Sequence, residues 1–439
     1  MNMDVEQEVK SLEALAERLR SLLIYAPRSF VIEFAGTPKS GKSTSSEAIR
    51  HFLSRYGFRV HVLTERAAVC PIPMKGHLFF NTWCAASMLA ELLSKVETET
   101  DIIIIDRGIF DTLVWMTLQE NRGEITADEA RTIEAFLLLE RWRSLIDLAV
   151  VMSVSSEEAI ARENGQHITQ KLGTIMTPAM LLAITESVQQ ALKRYGSKFY
   201  AVISHQTTGH QLRQSNIDLA KKVLECLEGF LNPEILVVPR QEIETLPLNG
   251  GGAFDKDKVY NINSCLATYG SFMRREIAEA NPDYVQIIPC GILKYEGKVL
   301  LFQRKEMDPK YRLYGKTTIW QGCHVTKREG VGTIEIIKNT LQDHIARYLF
   351  LSRVFPVKHL GFCWDRELPS SNQHLGVIYE INIGNPLTAM DFINREFRKR
   401  RGHGLIGNFD EMKEIRSNQE KLGLESWSRT IIENVGGYK

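Results

Sequence analysis

The chain has 439 residues, of which 44% are hydrophobic and 24% charged; this is ordinary globular composition, long enough for two or three domains, and it excludes a disordered or fibrous protein. Lys+Arg 54 against Asp+Glu 53 leaves a net charge of +1, so no global field recruits an anionic membrane, and nucleic acid is not favoured as a partner. Seven scattered cysteines without a CxxC pair argue against both a disulfide framework and a zinc site, and no stretch reaches the roughly 18 apolar residues of a membrane span, so a cytoplasmic setting is expected.

In chain order, residues 1–29 place Leu12, Leu15, Leu19, Leu22 and Leu23 at helical spacing, and an amphipathic helix packed on the following domain is expected, with a partner-binding or dimerising helix as the alternative. From 30 to 231, short β-branched runs alternate with helical patterns. The runs are Phe30 to Ala35, Arg59 to Thr64, Ile102 to Ile105, Leu148 to Val154 and Phe199 to Ile203. Near-continuous apolar runs in such alternation predict an α/β domain, a parallel sheet with helices on both faces, closed by a helix from Ile217 to Leu231. Asn232-Pro233 stops that helix, and a second region, 232–439, reads as a mixed α+β domain. It opens with a strand from Ile235 to Val238 and a flexible stretch, Asn249 to Gly252. The basic run Arg395 to Arg401 reads as a solvated helix end.

The chemistry concentrates in Gly36-Thr37-Pro38-Lys39-Ser40-Gly41-Lys42-Ser43-Thr44, which satisfies GxxxxGK[ST] between a strand and a helix from Ser43 to Arg55. Glycines let successive backbone N–H groups curl around a phosphate, and the helix N-terminus adds partial positive charge. Lys42 is expected to reach the β- and γ-phosphates of ATP or another nucleoside triphosphate, and Ser43 to hold Mg2+. Asp106-Arg107 ends the isoleucine-rich strand where ligands of open α/β sheets bind, so Asp106 is a second candidate for the metal and Arg107 a clamp for an acceptor. Glu65, at the end of another strand, is the candidate general base, or else a carboxylate that only pairs with Arg66 or Arg107. Arg162 follows the helix start at Ser155 and precedes the irregular segment 163–173 with Lys171; a basic lid over the phosphates is the expectation.

The strings IEFAGTPKSGKST, LTER, IIIIDRGIFDTL and DLAVVMSVSSEEAIARE together resemble the deoxynucleoside kinase and thymidylate kinase group of P-loop enzymes over residues 30–230. That resemblance implies phosphoryl transfer to a nucleoside or nucleotide, with Glu65 as base, Arg107 as acceptor clamp, and Phe79, Phe80 and Trp83 as candidates for stacking on a base. From 234 to 434, VQIIPCGILKYEGKVLLFQR, YRLYGKTTIWQGCHV, HLGFCWDRE, HLGVIYEI and LESWSR resemble a Nudix hydrolase. The family's metal-binding helix is depleted: Cys323 takes the place of its glycine, Glu329 stands at the next glutamate position, and Asn339 to His344 replaces the glutamate-rich segment, leaving Asp343 and His344. A noncatalytic nucleotide-recognition or regulatory domain is expected there. An ATP-binding switch that controls assembly or a partner is the rival for the whole chain, and a homo-oligomer stays open.

Overall fold

A computed structural model describes residues 2–74, 77–96, 100–165, 175–246, 248, 251–304, 313–348, 356–365, 372–384, 395–400 and 403–435. The chain divides into two compact units, Met1–Leu231 and Asn232–Lys439.

The first unit runs α1 (Asn2–Leu22), β1 (Phe30–Gly36), α2 (Lys42–Arg55), β2 (Val60–Leu63), α3 (Arg66–Val69), α4 (Leu78–Lys95) and β3 (Ile102–Asp106). It continues α5 (Ile109–Asn121), α6 (Ala127–Leu137), α7 (Glu140–Arg143), β4 (Leu148–Ser153), α8 (Ser156–Asn164), α9 (Pro178–Tyr195), β5 (Val202–Gln206) and α10 (Leu212–Leu231). The strands form one sheet in the order β2-β3-β1-β4-β5, and each neighbouring pair is parallel. The two-residue period of a strand divides the core. Val31, Ala35, Ile103, Ile105 and Val151 pack with Met88, Leu113 and Val188 of α4, α5 and α9. Phe30, Ile32, Phe34, Ile102, Ile104 and Val150 pack with Leu19, Ile49 and Leu227 of α1, α2 and α10. Each fully buried isoleucine of β3 contributes about 1.5–3 kcal/mol of transfer free energy, so one polar substitution there would disrupt the layer that it faces.

Most boundaries differ from expectation by one residue, and two elements start further away. The fifth strand begins at Val202, beyond the predicted Phe199. Phe199 is buried in the core beneath the helices, its ring edge-on to Phe110 at 5.2 Å between centroids, while β5 alternates exposed and buried residues at its polar end and so lacks a continuous apolar signature. Helix α10 starts at Leu212, before Ile217, because its first turn is polar or exposed and carries no apolar period.

At the amino edge of the sheet, Arg28 clasps Asp147 with two hydrogen bonds, Nη1 to Oδ2 at 2.6 Å and Nη2 to Oδ1 at 2.7 Å, both side chains buried. Asp147 Oδ2 also accepts from Val31 N at 2.9 Å, which ties the start of β1 to the residue preceding β4.

The second unit runs β6 (Glu234–Pro239), α11 (Arg240–Glu244), β7 (Gly252–Ala253), α12 (Lys256–Tyr269), β8 (Ser271–Arg274), α13 (Arg275–Ala280), β9 (Tyr284–Tyr295), β10 (Lys298–Arg304), β11 (Thr317–Thr318) and β12 (Gln321–Gly322). Then come α14 (Thr333–Tyr348), β13 (Val357–Cys363), β14 (His374–Asn382), β15 (Arg395–Arg400), β16 (His403–Glu411), α15 (Met412–Ser417) and α16 (Ser426–Asn434). Its sheet is mixed: β9 and β14 are parallel, while β9–β10, β10–β16, β13–β14 and β15–β16 are antiparallel. The basic run expected at a helix end is instead strand β15, paired with β16. Of the stretch expected to be flexible, Asn249 and Gly250 lie outside the described residues, and Gly252 is a buried strand residue paired with Cys363.

None of the seven cysteines is joined to another in a disulfide. No helix among the described residues is long and apolar enough to cross a membrane.

Candidate active site

Strand β1 ends in Gly36 at φ 122°, where a Cβ would lie 1.9 Å from the Met152 carbonyl oxygen, so the turn into the loop admits glycine only. The loop is pinned to β4 by Thr37, whose N–H donates to Met152 O at 3.0 Å and whose Oγ1 accepts from Val154 N at 3.1 Å. The Ser40 hydroxyl donates back to Thr37 O at 2.8 Å. Lys39 is left-handed at φ 57°, its ammonium is 2.6 Å from Glu163, and Pro38 beside it is half-buried. Gly41, at φ 93°, starts α2 without a side-chain cap, so the first-turn N–H groups face whatever the loop encloses.

Lys42 is buried and donates from Nζ to the loop's own carbonyls, Gly36 O at 3.1 Å and Thr37 O at 2.7 Å. Burial, and next the Arg107 charge, lower its pKa to about 8. Ser43 Oγ donates to Asp106 Oδ2 at 2.8 Å, and Thr44 is exposed on the same helical turn. Asp106 Oδ1 is buried with no hydrogen-bond partner among the described residues. The Ser43 hydroxyl and the Asp106 carboxylate, one oxygen of which is orphaned, form a hard oxygen donor set that fits Mg2+.

Arg107 follows in the left-handed conformation, φ 65°, with its N–H bound to Phe34 O at 2.9 Å. A non-glycine residue there costs of order 1–2 kcal/mol, and the turn sends consecutive side chains to different partners. Asp106 meets the loop, whereas Arg107 Nε meets Glu65 Oε1 at 2.9 Å. Burial pulls the Arg107 pKa down, but Asp111, Glu65 and Asp106 together leave it above its ordinary value, so its cation is secure. Arg66 pairs instead with Glu91 of α4.

Arg162 sits on α8, whose N-cap Ser155 accepts from Glu158 N at 3.2 Å. Its guanidinium donates to Lys39 O at 2.8 Å, to Thr207 O at 3.1 Å and to Glu158 at 2.6 Å, which holds it on the back of the phosphate loop. Lys171 lies outside the described residues. The aromatic trio is split: Phe80 is buried, Trp83 half-buried and Phe79 exposed, so the ring of Phe80 is not available for stacking on a base. Beside Glu65, the thiols of Cys70 and Cys84 interact, and burial followed by Cys70 pushes the Cys84 pKa up to about 12, which keeps it a thiol and not a nucleophile.

Two residues of the site were not singled out from sequence. Glu33, in the middle of β1, is fully buried and its Oε1 accepts from Gly108 N at 3.0 Å and Asp111 N at 2.9 Å. Desolvation outweighs those hydrogen bonds and raises its pKa from 4.5 to about 7. Gly108 is glycine because a Cβ would fall 2.7 Å from the Glu33 carboxylate. Asp111, in the first turn of α5, accepts from Gly36 N at 3.1 Å and from Trp115 Nε1 at 3.1 Å. The pair thus connects the Asp106-Arg107 turn to the first residue of the phosphate loop. The available signal was an acid inside an otherwise apolar strand, which must find donors when both faces are covered.

In the second unit, the segment from Asn339 to His344 lies on α14. Thr340 and Leu341 are buried, Asp343 Oδ2 accepts from Arg328 at 2.6 Å, and Glu329 is exposed.

No protein-family model matches the chain. Protein YmaB of Bacillus subtilis strain 168 is 24% identical over 211 residues, which are 47% of this chain and 98% of that protein. Among solved structures, Tm1382, described as a proposed Nudix hydrolase, is similar at 17% identity and a TM-score of 0.34, over 45% of this chain and 94% of that one. Deoxyadenosine kinase from M. mycoides with bound dCTP is similar at 17% identity and a TM-score of 0.34, over 45% of this chain and 99% of that one. The function proposed next rests on the geometry of the site.

Proposed function

We propose that the first unit is a P-loop kinase that transfers the γ-phosphoryl group of ATP, or another nucleoside triphosphate, to a nucleoside or nucleotide. The observation that carries this reading is the turn at Asp106-Arg107, which gives one carboxylate to Ser43 and the phosphate loop and the next guanidinium to Glu65. A donor side and an acceptor side thereby meet at one strand end. Loop amides and Lys42 bind the donor's phosphates, and Lys42 exchanges the two loop carbonyls for phosphate oxygens. Ser43 and Asp106 hold Mg2+, which when bound neutralises charge between the phosphates. Arg107 orients the acceptor, and Glu65 takes the proton from its hydroxyl, at a position within reach of the same clamp. Arg162 keeps the loop in shape through Lys39 O and adds positive potential.

For the second unit we propose a Nudix-like domain without pyrophosphate hydrolysis, used for nucleotide recognition or regulation. Its support is chemical: Asn339 and Gln342 are neutral, and Asp343 is already engaged by Arg328.

The test is transfer of label from γ-labelled ATP with magnesium to a panel of nucleosides, monophosphates and oligonucleotides, with Lys42→Ala as the blank. Transfer to one nucleoside or nucleotide, reduced about 10²–10³-fold in the blank, is expected. ATP binding without transfer to any of them would overturn the kinase reading in favour of a nucleotide-controlled switch.

A further inference from the structure

Away from the phosphate loop, the second unit gathers three metal-ligating side chains. Glu279 on α13, His324 just after β12 and His374 at the start of β14 bring one carboxylate oxygen and two imidazole nitrogens within 4.8 Å of one another. The sheet explains the convergence. β14 runs parallel to β9 with His374 opposite Gln286, and β6 flanks the other side of β9 with Val237 opposite the same residue. β12 runs antiparallel to β9, so the chain leaving Gly322 returns toward Gln286, and Leu236 N donates to Val325 O at 2.8 Å to fix it there. All three candidate ligands are half-buried, within reach of solution but shielded from bulk water.

A second observation bears on His324. Gln286 is completely buried, its Oε1 lies 2.8 Å from His324 Nε2, and its own Nε2 has no hydrogen-bond partner among the described residues. A carboxamide in that position orients the imidazole; in the tautomer whose Nε2 donates to Gln286, Nδ1 carries the lone pair that a metal takes. The His324 and His374 rings stand edge-on, 5.9 Å between centroids. Arg275 Nε reaches Glu279 Oε1 at 3.4 Å, a contact within α13 that opposes a cation electrostatically.

Two imidazoles and one carboxylate are the ligands of a zinc-type ion with a fourth position left for water, and nitrogen donors select against magnesium and calcium. We infer that the second unit binds a divalent first-row transition-metal ion of the zinc type on Glu279, His324 and His374. The site uses no cysteine, so the scattered cysteines of the sequence say nothing against it. Its residues differ from Glu329 and Asp343, and it stands whether or not the first unit is a kinase.

Cobalt(II) is the probe, because it substitutes for zinc and absorbs in the visible. The full-length protein is stripped with a chelator, desalted and titrated with cobalt, then with zinc. Expected are visible bands that saturate at one equivalent, survive excess magnesium and bleach with zinc. Glu279→Gln, nearly isosteric, and His374→Ala should each weaken cobalt binding at least about tenfold, with far-ultraviolet circular dichroism unchanged for Glu279→Gln even if His374→Ala folds poorly. Absence of stoichiometric cobalt bands in the unmodified protein, or unchanged bands in Glu279→Gln, would overturn the assignment.

Discussion

The two edges of the parallel sheet treat charge in opposite ways. At the amino edge, Arg28 and Asp147 meet in a buried bidentate pair that also takes a backbone N–H, so charge there is matched to charge. At the carboxyl edge, Asp106 keeps an oxygen without a partner and Lys42 is pushed down to about 8, while Glu33, behind that edge and bound to its Gly108 N–H, is pushed up to about 7. Matched charges lock strands in place and gain nothing from a ligand. Mismatched ones carry a desolvation cost that an anionic phosphate and a cation relieve, which is what a site waiting for a charged ligand requires.

If that contrast holds, activity and stability should separate between the edges. Glu65→Gln keeps the hydrogen bond to Arg107 but cannot take a proton. Transfer to the acceptor should fall about 10²–10⁴-fold with little change in the midpoint of unfolding. Retained turnover would make Glu65 a partner of Arg107 and nothing more. At the other edge, Asp147→Ala leaves Arg28 buried without its counter-charge and should cost about 3–5 kcal/mol in urea unfolding. Turnover per folded molecule should be unaffected, and a change in it would mean that the amino edge reports to the site.

Glu33 sharpens the contrast further, because it lies on the functional side yet touches no ligand position. Its pKa in the folded protein stands near 7 against an ordinary 4.5, so between these values the folded state holds a proton that the unfolded chain has released. Its contribution to stability is therefore intact below pH 4.5 and lost as pH rises through 7, about 3 kcal/mol in all. Glu33→Gln preserves an oxygen for Gly108 N and Asp111 N and cannot ionise. Its unfolding midpoint should match the unmodified protein at pH 4 and exceed it at pH 8. Equal pH slopes in the two proteins would show that another group titrates.

Those three residues also mark what the sequence could reveal. Strands β1, β3 and β4 were legible because a β-branched run buried on both faces reads the same in any context. β5 was displaced in the reading because its exposed residues lack that signature, and β15 was hidden by its own charges. Lys42, Ser43, Glu65, Asp106 and Arg107 each sit at a strand end or in the glycine loop, where local pattern carries position. The roles of Glu33 and Asp111 depend on partners 75 residues away, Gly108 for one and Gly36 for the other, and no local period encodes such a contact. Nor does the dipeptide Asp106-Arg107 announce the left-handed turn that separates its two side chains.

The smallest effect is expected in the second unit, at Asp343 on α14. Asp343 is paired with Arg328, and both side chains are partly exposed at 24% and 38%, so the pair behaves as a surface ion pair worth about 0–1 kcal/mol. Asp343→Asn should leave nucleoside diphosphate and dinucleotide hydrolysis at background, as in the unmodified protein, and shift the unfolding midpoint hardly at all. Hydrolysis above background that disappears in this variant would show a working magnesium site on α14. In that event the unit would have to be treated as a second enzyme.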